Sequence, residues 1–590
     1  MVNLSEIGML RRSVGPILKR AVLTGQLFKP QCELTEPHPD ILAEYDAGIP
    51  LDDGTTLTAN VFRSKSAQES GAKLPVVMCA HPYDNSLLPA LKKTPFGGPP
   101  KQYRLIPQEG RPRFSTQTSW ESPDPNFWVP AGYAVVNLNL PGFASSGGKP
   151  SLFTAGQSEA FAKAIDWIGA QDWCTGNVGL NGVSFLAISQ YGVAAGDFPY
   201  GIPKCLKAIC PWEGLSDPYR DMFREGGLEE KGFPIMWWHM EVKETINCTA
   251  AEFAAIEGQL PQHIATRHPF YDDYWKSKAA ELERIEVPAL VCASFSDQGL
   301  HTQGSFRVFR QASSGHKWVY THRRGKWDSY YSAEVQNLTK AFFDCFLKGE
   351  TDNGFLETDP VRLEVRASRD TIHEVRSEPA WPLENTEYRK LFLREGNRLD
   401  PAPGGQTEFV YDARSGALRF SHTFEADTEL TGYMKLRLWV EARAKHGRKV
   451  PPDDMALFVG VDKIDAEGRR VPFYGSVGNR EDMVARGLIA VSRRALDPKA
   501  STEWEPVLRN ERDDRLTPGE IAPVDIAINP SSTFFAAGDG IELIVSPNEI
   551  VPSPPYRKDN ACNRGLHVVH AGGECDSHLL IPVITARTQN

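Results

Sequence analysis

The sequence predicts an α/β domain that is interrupted by a helical insertion and followed by an all-β domain. Strand and helix patterns alternate from about residue 40 to 213 and resume near 286, residues 214–285 are helical in composition, and short strand patterns recur at regular spacing after about 355. A chain of 590 residues is also too long for one hydrophobic core, because single cores stop growing near about 250–300 residues. We therefore expect several structural units.

The α/β pattern begins with TTLTANVFR (55–63), whose alternation of polar and apolar residues is typical of an edge or antiparallel strand. Helical spacing of apolar residues marks SEAFAKAIDWIGAQD (158–172). Short apolar runs of the kind found in strands buried on both faces occur at LPVVMCA (74–80), GYAVVNLNL (132–140), NVGLNGV (177–183), CLKAICPW (205–212) and VPALVCASF (287–295). This order predicts a parallel sheet covered by helices.

Two segments interrupt the alternation. Residues 86–126 are rich in Pro, Gly and Lys and are too long for an ordinary connection; their role is open at this stage. Residues 214–285 carry aromatic clusters, including Trp237 and Trp238, and predict a helical cap. The expected domains are the first α/β part at 1–213 (with an N-terminal helix and extension over 1–40), the cap at 214–285, the second α/β part at 286–354 and the β domain at 355–590.

The predicted β domain contains alternating segments such as MKLRLWVEA (434–442) and GIELIVS (540–546), which are separated by turn-rich linkers. Regular short strands without long helical patterns predict a β-sandwich or jelly roll. The 49 glycines and 44 prolines of the chain fit the many turns of such a domain. Because jelly-roll edges often mediate self-association, a homo-oligomer is compatible with the sequence, and the oligomeric state stays open.

Composition excludes several classes of function. A net charge of −10 argues against a nucleic-acid binder, which needs a basic surface. None of the ten cysteines forms a CxxC pair and no ligands occur at metal spacing, so we expect buried thiols and neither a metal nor an organic cofactor. No apolar run approaches the roughly 18 residues of a membrane span, and the N-terminus lacks a secretory signal pattern. We expect a cytoplasmic protein without a membrane partner.

The segment GLNGVSFLAISQYGVAA (179–195) points to chemistry. A predicted strand runs into Gly182-Val183-Ser184 and a helical pattern follows, which is the arrangement of the nucleophile elbow in α/β-hydrolases. Leu186 stands where the second glycine of G-x-S-x-G would be. Since G-x-S also occurs by chance, the flanking strand and helix make Ser184 a candidate nucleophile.

A nucleophilic serine needs a base and an orienting carboxylate, which follow it in the order Ser, Asp or Glu, His in this architecture. Asp297 follows a predicted buried strand, and the extended run KWVYTHRR (317–324) reaches His322. His301 and His316 compete for the role of base. We disfavour His316 because it precedes its strand, and His301 because it lies four residues after Asp297 and is expected to begin the next helix.

The segment from Tyr83 to Gly349 resembles the CocE/NonD acyl esterases, serine hydrolases grouped with X-Pro dipeptidyl peptidases. HPYDN (81–85), GYAVVNLNLPGFASSGGKP (132–150), AIDWIGAQDWCTGNVGLNGVSFLAISQ (164–190), HPFYDDYW (268–275), HRRGKWDSYYS (322–332) and FFDCFLKG (342–349) carry the likeness in the family's order. The resemblance implies a hydrolase domain, a helical cap and a C-terminal jelly roll.

The resemblance also implies residue roles. Ser184 would be the nucleophile, His322 the general base and Asp297 its orienting carboxylate; Tyr83 and the backbone N–H of Phe185 would form the oxyanion hole. The chain departs from the family at Pro141, where an Arg is usual, and at Asn137 and Asn139, where aspartate is common. These departures leave the triad intact but put any salt bridge that braces this loop in doubt.

We therefore expect a serine carboxylesterase that hydrolyses small-molecule esters through an acyl-enzyme on Ser184. The first alternative is an amidase, X-Pro dipeptidyl-peptidase-like or β-lactam acylase activity, for which Glu229, Glu230 and Glu241 in the cap are candidate ligands of a substrate ammonium. The second is a catalytically silent binding protein. The identity of the ester and the residues that line its pocket cannot be derived from one sequence.

Overall fold

The computed structural model describes residues 4–28, 31–91, 100–106, 110–257, 261–447, 450–553 and 555–585. The chain forms two compact units. The first contains Met1–Pro218, Gly232–Ile264 and Asp273–Pro360, and the second contains Tyr219–Lys231, Ala265–Asp272 and Val361–Asn590. The segment predicted as a cap, 214–285, thus contributes to both units. The last segment of the second unit begins at Val361, six residues after the predicted start of the β domain at 355. Part of the 86–126 segment lies outside the described residues.

The first unit is built on a sheet with the spatial order β1-β2-β4-β3-β5-β6-β7-β8. Pairing is antiparallel between β1, β2 and β4 and parallel from β4 to β8. The strands are β1 (Ile41–Pro50), β2 (Thr56–Ser64), β3 (Leu74–His81), β4 (Ala134–Asn139), β5 (Cys174–Val183), β6 (Leu206–Trp212), β7 (Ala289–Ser294) and β8 (Lys317–His322). A separate parallel pair joins Glu33–Thr35 to Arg113–Ser115.

Helices connect the parallel strands, as the alternating pattern predicts. The α-helices of the described residues are, in chain order, α1 (Leu4–Leu23), α2 (Lys65–Ser70), α3 (Lys101–Leu105), α4 (Pro125–Trp128), α5 (Ala155–Gly169), α6 (Phe185–Ala195), α7 (Phe233–Trp237), α8 (Ala250–Ile256), α9 (Pro261–Arg267), α10 (Asp273–Lys276), α11 (Thr302–Gln311), α12 (Lys326–Tyr330) and α13 (Ala333–Phe343). Single 3₁₀ or π turns occur at Tyr219–Phe223, Glu225–Gly227, Trp238–Val242, Leu282–Arg284, Asp344–Lys348 and Phe355–Glu357. Every residue of β3, β4 and β7 is buried, which explains their continuous apolar runs.

The second unit consists mainly of antiparallel strands. They are β9 (Val361–Arg366), β10 (Ile372–Glu378), β11 (Thr386–Arg394), β12 (Arg398–Asp400), β13 (Thr407–Asp412), β14 (Leu418–Thr423), β15 (Thr428–Arg443), β16 (Ala456–Ile464), β17 (Arg470–Val471), β18 (Phe473–Gly475), β19 (Asn479–Asp482), β20 (Ala485–Ala490), β21 (Ala522–Phe535), β22 (Gly540–Ser546), β23 (Leu566–Ala571) and β24 (His578–Ile584). Two 3₁₀ turns lie at Ser476–Gly478 and Val491–Arg493. Alternate residues of β15, β16, β21 and β22 point into one shared core, because successive side chains of a strand face opposite sides.

Two further predictions concern the whole chain. All ten cysteines lie in the described ranges and none forms a disulfide; six are buried and four are partly buried. Within the described ranges, no helix has both the length and the apolar character needed to cross a bilayer.

Candidate active site

The predicted elbow is present between β5 and α6. Ser184 adopts φ 61° and ψ −116° directly before α6, a strained conformation that presents its side chain at the carboxyl edge of the sheet. Its backbone N–H donates to the carbonyl oxygen of Trp212 in β6 at 3.0 Å. Gly182 has φ 148°, and a Cβ atom there would lie 2.5 Å from Cβ of Leu186. Leu186, which replaces the usual second glycine, therefore makes the glycine at 182 a steric requirement.

We expect Gly182→Ala to lower the free energy of unfolding by about 2–4 kcal/mol, because the new methyl group meets Leu186 in a backbone conformation that favours glycine. Chemical denaturation measures this loss. Gly156→Ala in α5 is the matched control: its Cβ would have no atom within 4 Å, so stability should stay unchanged or rise by about 0.5 kcal/mol. Equal stability of the two variants would contradict the steric argument.

The histidine beside Ser184 is His301, whereas the sequence predicted His322. Oγ of Ser184 lies 3.4 Å from Nε2 of His301, and Nδ1 of His301 lies 2.5 Å from Oδ2 of Asp297. Serine, imidazole and carboxylate thus form a continuous hydrogen-bonded chain, with each imidazole nitrogen facing the partner that base catalysis needs. His301 and Asp297 are both buried.

A tight turn explains this placement. The carbonyl oxygen of Asp297 accepts the backbone N–H groups of Leu300, His301 and Thr302, so that the chain completes one helical turn before α11 begins at Thr302. Residues four apart face each other across one turn. His301 was expected to begin the next helix and lies one residue before α11, where its ring reaches the Asp297 carboxylate.

His322 has different partners. The backbone N–H of Arg324 donates to its Nδ1 at 3.2 Å, so the neutral ring carries its hydrogen on Nε2. That nitrogen lies 2.9 Å from Oε1 of Glu213. The ring also stacks on Trp212, with 5.7 Å between centroids. Nδ1 of His322 is therefore bonded to a partner other than Ser184, and Nε2 lies beside Glu213, the residue after β6.

Lys326 adds a cation to this hydrogen-bonded chain. Its Nζ atom donates to Oδ2 of Asp297 at 2.8 Å and lies 3.0 Å from Nδ1 of His301. Burial acts to raise the pKa of Asp297, but the charges of Lys326 and His301 outweigh it and hold that pKa below its usual value. Burial first, and then the Lys326 ammonium, lower the pKa of His301. At neutral pH His301 is therefore the neutral imidazole that a general base must be.

Tyr83, the predicted oxyanion donor, follows the carboxyl end of β3. Its hydroxyl accepts a hydrogen bond from Nε1 of Trp237 at 3.2 Å, which leaves the phenolic hydrogen for another acceptor. Burial raises the pKa of Tyr83 well above its usual value, so the hydroxyl stays protonated. Phe185, the second predicted donor, is the first residue of α6, and the N–H groups of a first helical turn have no partner within the helix.

Uncharged side chains brace the loop that carries Tyr83. Oδ1 of Asn139 accepts the backbone N–H of Asn85 at 3.1 Å, and the carbonyl oxygen of Asn137 accepts Nδ2 of Asn85 at 2.7 Å. Burial lowers the pKa of His81 to about 4, and its Nδ1 accepts the backbone N–H of Tyr83 at 3.1 Å. Of the two asparagines that depart from the family pattern, Asn139 holds this loop through its side chain and Asn137 through its backbone carbonyl.

Three residues around the site that are not glycine share a left-handed backbone: Ser184 (φ 61°), Glu121 (φ 63°) and Glu213 (φ 51°). Such strain clusters at functional sites. The carbonyl oxygen of Glu121 accepts the backbone N–H of Val183 at 3.2 Å, and Nε1 of Trp327 donates to its carboxylate at 2.9 Å. Burial raises the pKa of Glu121 to about 8, so it is mostly protonated at neutral pH. The 86–126 segment therefore reaches the elbow.

Glu121, Glu213 and Lys326 had no role in the sequence prediction. Glu213 directly follows the strand CLKAICPW, and Lys326 follows the strand that ends at His322. The rule that placed Asp297 at the carboxyl edge of the sheet applies equally to Glu213. No comparable signal exists for Glu121, which lies in a segment without periodicity.

Two sets of side chains are close enough to share one cation, namely Glu213, Asp297 and His301, and Glu213, Cys292 and His322. In the first set the Lys326 ammonium already lies within hydrogen-bonding distance of Asp297 and His301. In the second, Nδ1 of His322 accepts the backbone N–H of Arg324, which leaves the ring hydrogen of a neutral imidazole on Nε2 instead of a lone pair. We assign neither set as a metal site.

The chain is similar to proteins of known families. Residues 53–328 match the model of the X-Pro dipeptidyl-peptidase (S15) family, and residues 353–580 match that of the X-Pro dipeptidyl-peptidase C-terminal non-catalytic domain. A cocaine esterase from Rhodococcus sp. (strain MB1 Bresler) is 25% identical, over 91% of this chain and 97% of its own. A putative Xaa-Pro dipeptidyl-peptidase from Bacillus anthracis is 28% identical, over 83% and 79%.

A solved structure extends the comparison to the fold. A CocE/NonD family hydrolase from Staphylococcus aureus is 34% identical and superposes with a TM-score of 0.82, over 95% of this chain and 100% of that one. The arrangement of the first unit accordingly is that of an α/β-hydrolase domain. The chain belongs to the CocE/NonD family of serine hydrolases, within the group of the X-Pro dipeptidyl peptidases.

Proposed function

We propose that the protein is a carboxylesterase whose nucleophile is Ser184, whose base is His301 and whose orienting carboxylate is Asp297. The observation that supports this proposal is the continuous contact from Oγ of Ser184 through both nitrogens of His301 to Asp297. His301 takes the serine proton as Oγ attacks the ester carbonyl carbon, and returns it to the alcohol as the C–O bond breaks. A water molecule, deprotonated by the same imidazole, then hydrolyses the acyl-enzyme.

The oxyanion of each tetrahedral intermediate is bound, in this proposal, by the Tyr83 hydroxyl and the Phe185 N–H. We expect Tyr83→Phe to lower kcat by about 10²–10³-fold with little change in KM, because the donor acts mainly on charge that develops in the transition state. Tyr200→Phe is the control: it removes an exposed hydroxyl that is bonded to Asp166. Steady-state kinetics measures kcat and KM of both variants. An unchanged kcat for Tyr83→Phe would show that Tyr83 is not a donor of the oxyanion hole.

The surroundings of Phe185 favour an ester with an apolar group. The rings of Phe153, Phe185 and Trp237 lie against one another, with centroids 5.3 to 6.1 Å apart, and Trp237 also donates to Tyr83. This aromatic wall stands beside both proposed oxyanion donors. The relation to an esterase that acts, by its name, on cocaine agrees with such a substrate.

Comparing two classes of substrate tests the reaction type. We expect hydrolysis of small aryl esters and little turnover of an X-Pro anilide, with Ser184→Ala as the baseline for both. Varying the acyl and alcohol parts of the ester separately then maps the two sides of the pocket. A preference for the anilide would replace the esterase proposal by the amidase alternative, and equal turnover by wild type and Ser184→Ala would refute both.

The amidase alternative requires carboxylates that hold a substrate ammonium. Glu229 and Glu230 belong to the second unit, where Glu229 pairs with Arg224 and Glu230 with the buried Lys558. Glu241 belongs to the first unit and accepts a hydrogen bond from Gln102 at 2.6 Å, and burial raises its pKa to about 7. Two of the three candidate carboxylates are thus already neutralised by protein cations, which favours the ester.

We also propose that the β strands of the second unit form a jelly roll, which the shared core of β15, β16, β21 and β22 supports. The cytoplasmic location and the self-association stay predictions.

A further inference from the structure

Glu213 is a buried carboxylate that the triad mechanism leaves unexplained. It is 1% exposed, its backbone is left-handed, and neither of its oxygens has an aligned hydrogen bond among the described residues. An unsatisfied buried carboxylate is costly, so proteins retain one where it serves a purpose. Its nearest partner is Nε2 of His322, at 2.9 Å.

Glu213 also faces the catalytic pair. One polar atom each of Glu213, Asp297 and His301 lie within 4.8 Å of one another, so Glu213 and Asp297 both lie close to the same imidazole. In an ordinary triad one carboxylate supplies the negative charge that stabilises the imidazolium of the transition state. Here the Lys326 ammonium, 2.8 Å from Asp297, largely cancels that charge.

The charges that face His301 show what the cancellation of the Asp297 charge by Lys326 means for an imidazolium. They come from Asp297 in the turn after β7, Lys326 at the start of α12 and Glu213 at the end of β6. Asp297 and Lys326 alone would leave an imidazolium with no net counter-charge. With Glu213, two carboxylates face one ammonium, and one negative charge remains to balance the imidazolium.

We propose that Glu213 is a positioning residue of the acid–base step: it supplies the counter-charge for the His301 imidazolium that Lys326 removes from Asp297, with His322 as its neighbour at 2.9 Å. This inference rests on the proposed function. It assigns the pair Glu213–His322 a role in setting the pH at which His301 changes protonation. Lys326 and Glu213 act on that pH in opposite directions.

The pH dependence of kcat/KM for an aryl ester tests the inference, because its acid limb reports the pKa of the free enzyme's base. Glu213→Gln removes a negative charge near His301, so the acid limb should move to lower pH by about one unit or more. Lys326→Met removes a positive charge, so the limb should move to higher pH by a similar amount. Glu213→Asp keeps the charge and should leave the limb near that of the wild type, although kcat falls.

The double variant Glu213→Gln/Lys326→Met removes one charge of each sign and keeps the net charge of the cluster, so it provides a second route if Glu213→Gln alone does not fold. Its acid limb should lie near that of the wild type and well below that of Lys326→Met. The inference would be overturned if the acid limb of the double variant coincided with that of Lys326→Met, or if the acid limb of Glu213→Gln coincided with that of the wild type. Ser184→Ala separates this failure from failure of the proposed function, because activity that survives it refutes the nucleophile whatever Glu213 does.

Discussion

His301→Asn should lower kcat for an aryl ester by about 10⁴-fold or more, whereas His322→Asn should lower it by no more than about tenfold. His301 is the imidazole whose Nε2 atom contacts Ser184, at 3.4 Å, and whose Nδ1 atom contacts Asp297. Nε2 of His322 lies 2.9 Å from Oε1 of Glu213, and in the proposed mechanism His322 does not receive the serine proton. Asparagine keeps a planar polar side chain at each position, so the two variants form a matched pair.

Steady-state kinetics at several pH values measures both effects, and circular dichroism establishes that each variant is folded. His316→Asn provides a third comparison, because this residue was the other histidine weighed for the base. The opposite order, with His322→Asn inactive and His301→Asn active, would restore the triad that the sequence predicted and refute the geometry described above.

Asp297→Asn should lower kcat by about 10⁴-fold near neutral pH. The amide presents a hydrogen-bond donor or a neutral oxygen to Nδ1 of His301, so the ring loses the partner that fixes its tautomer. It also leaves the Lys326 ammonium without its closest counter-charge, 3.0 Å from the imidazole. Both effects disfavour the imidazolium of the transition state.

The control for Asp297→Asn is Asp197→Asn, which alters an exposed carboxylate paired with Arg284 and should leave kcat unchanged. Combining Asp297→Asn with Lys326→Met relieves the uncompensated ammonium and should recover part of the lost rate. A variant Asp297→Asn with wild-type kcat would show that another residue, with Glu213 as the first to test, orients His301.

Much of the fold follows from periodicity. Continuous apolar runs located β3 to β7 within three residues at each end, since strands covered on both faces consist mostly of apolar residues. The strand β1, Ile41–Pro50, was missed, because its middle residues are largely exposed and its pattern is correspondingly mixed. The division of residues 214–285 between the two units was also missed, since contacts distant in sequence decide it.

The site was predictable only in part. Local rules place Ser184 and Asp297 at the carboxyl edge of the sheet, because Ser184 directly follows β5 and Asp297 follows the end of β7 by three residues. His322 satisfies the same rule, yet its ring stacks on Trp212 and its Nε2 faces Glu213. His301 is the histidine that lies beside Ser184, because one helical turn brings it onto Asp297. That choice depends on side-chain direction at the end of a strand, which the order of residues along the chain does not contain.

The most direct test of the account is covalent labelling with an organophosphonate, followed by mass spectrometry of the labelled peptide and by the rate of its formation. The account predicts one adduct on Ser184, formed by wild type and His322→Asn at comparable rates and by His301→Asn far more slowly. An adduct on another residue, or labelling of His301→Asn at the wild-type rate, would contradict it.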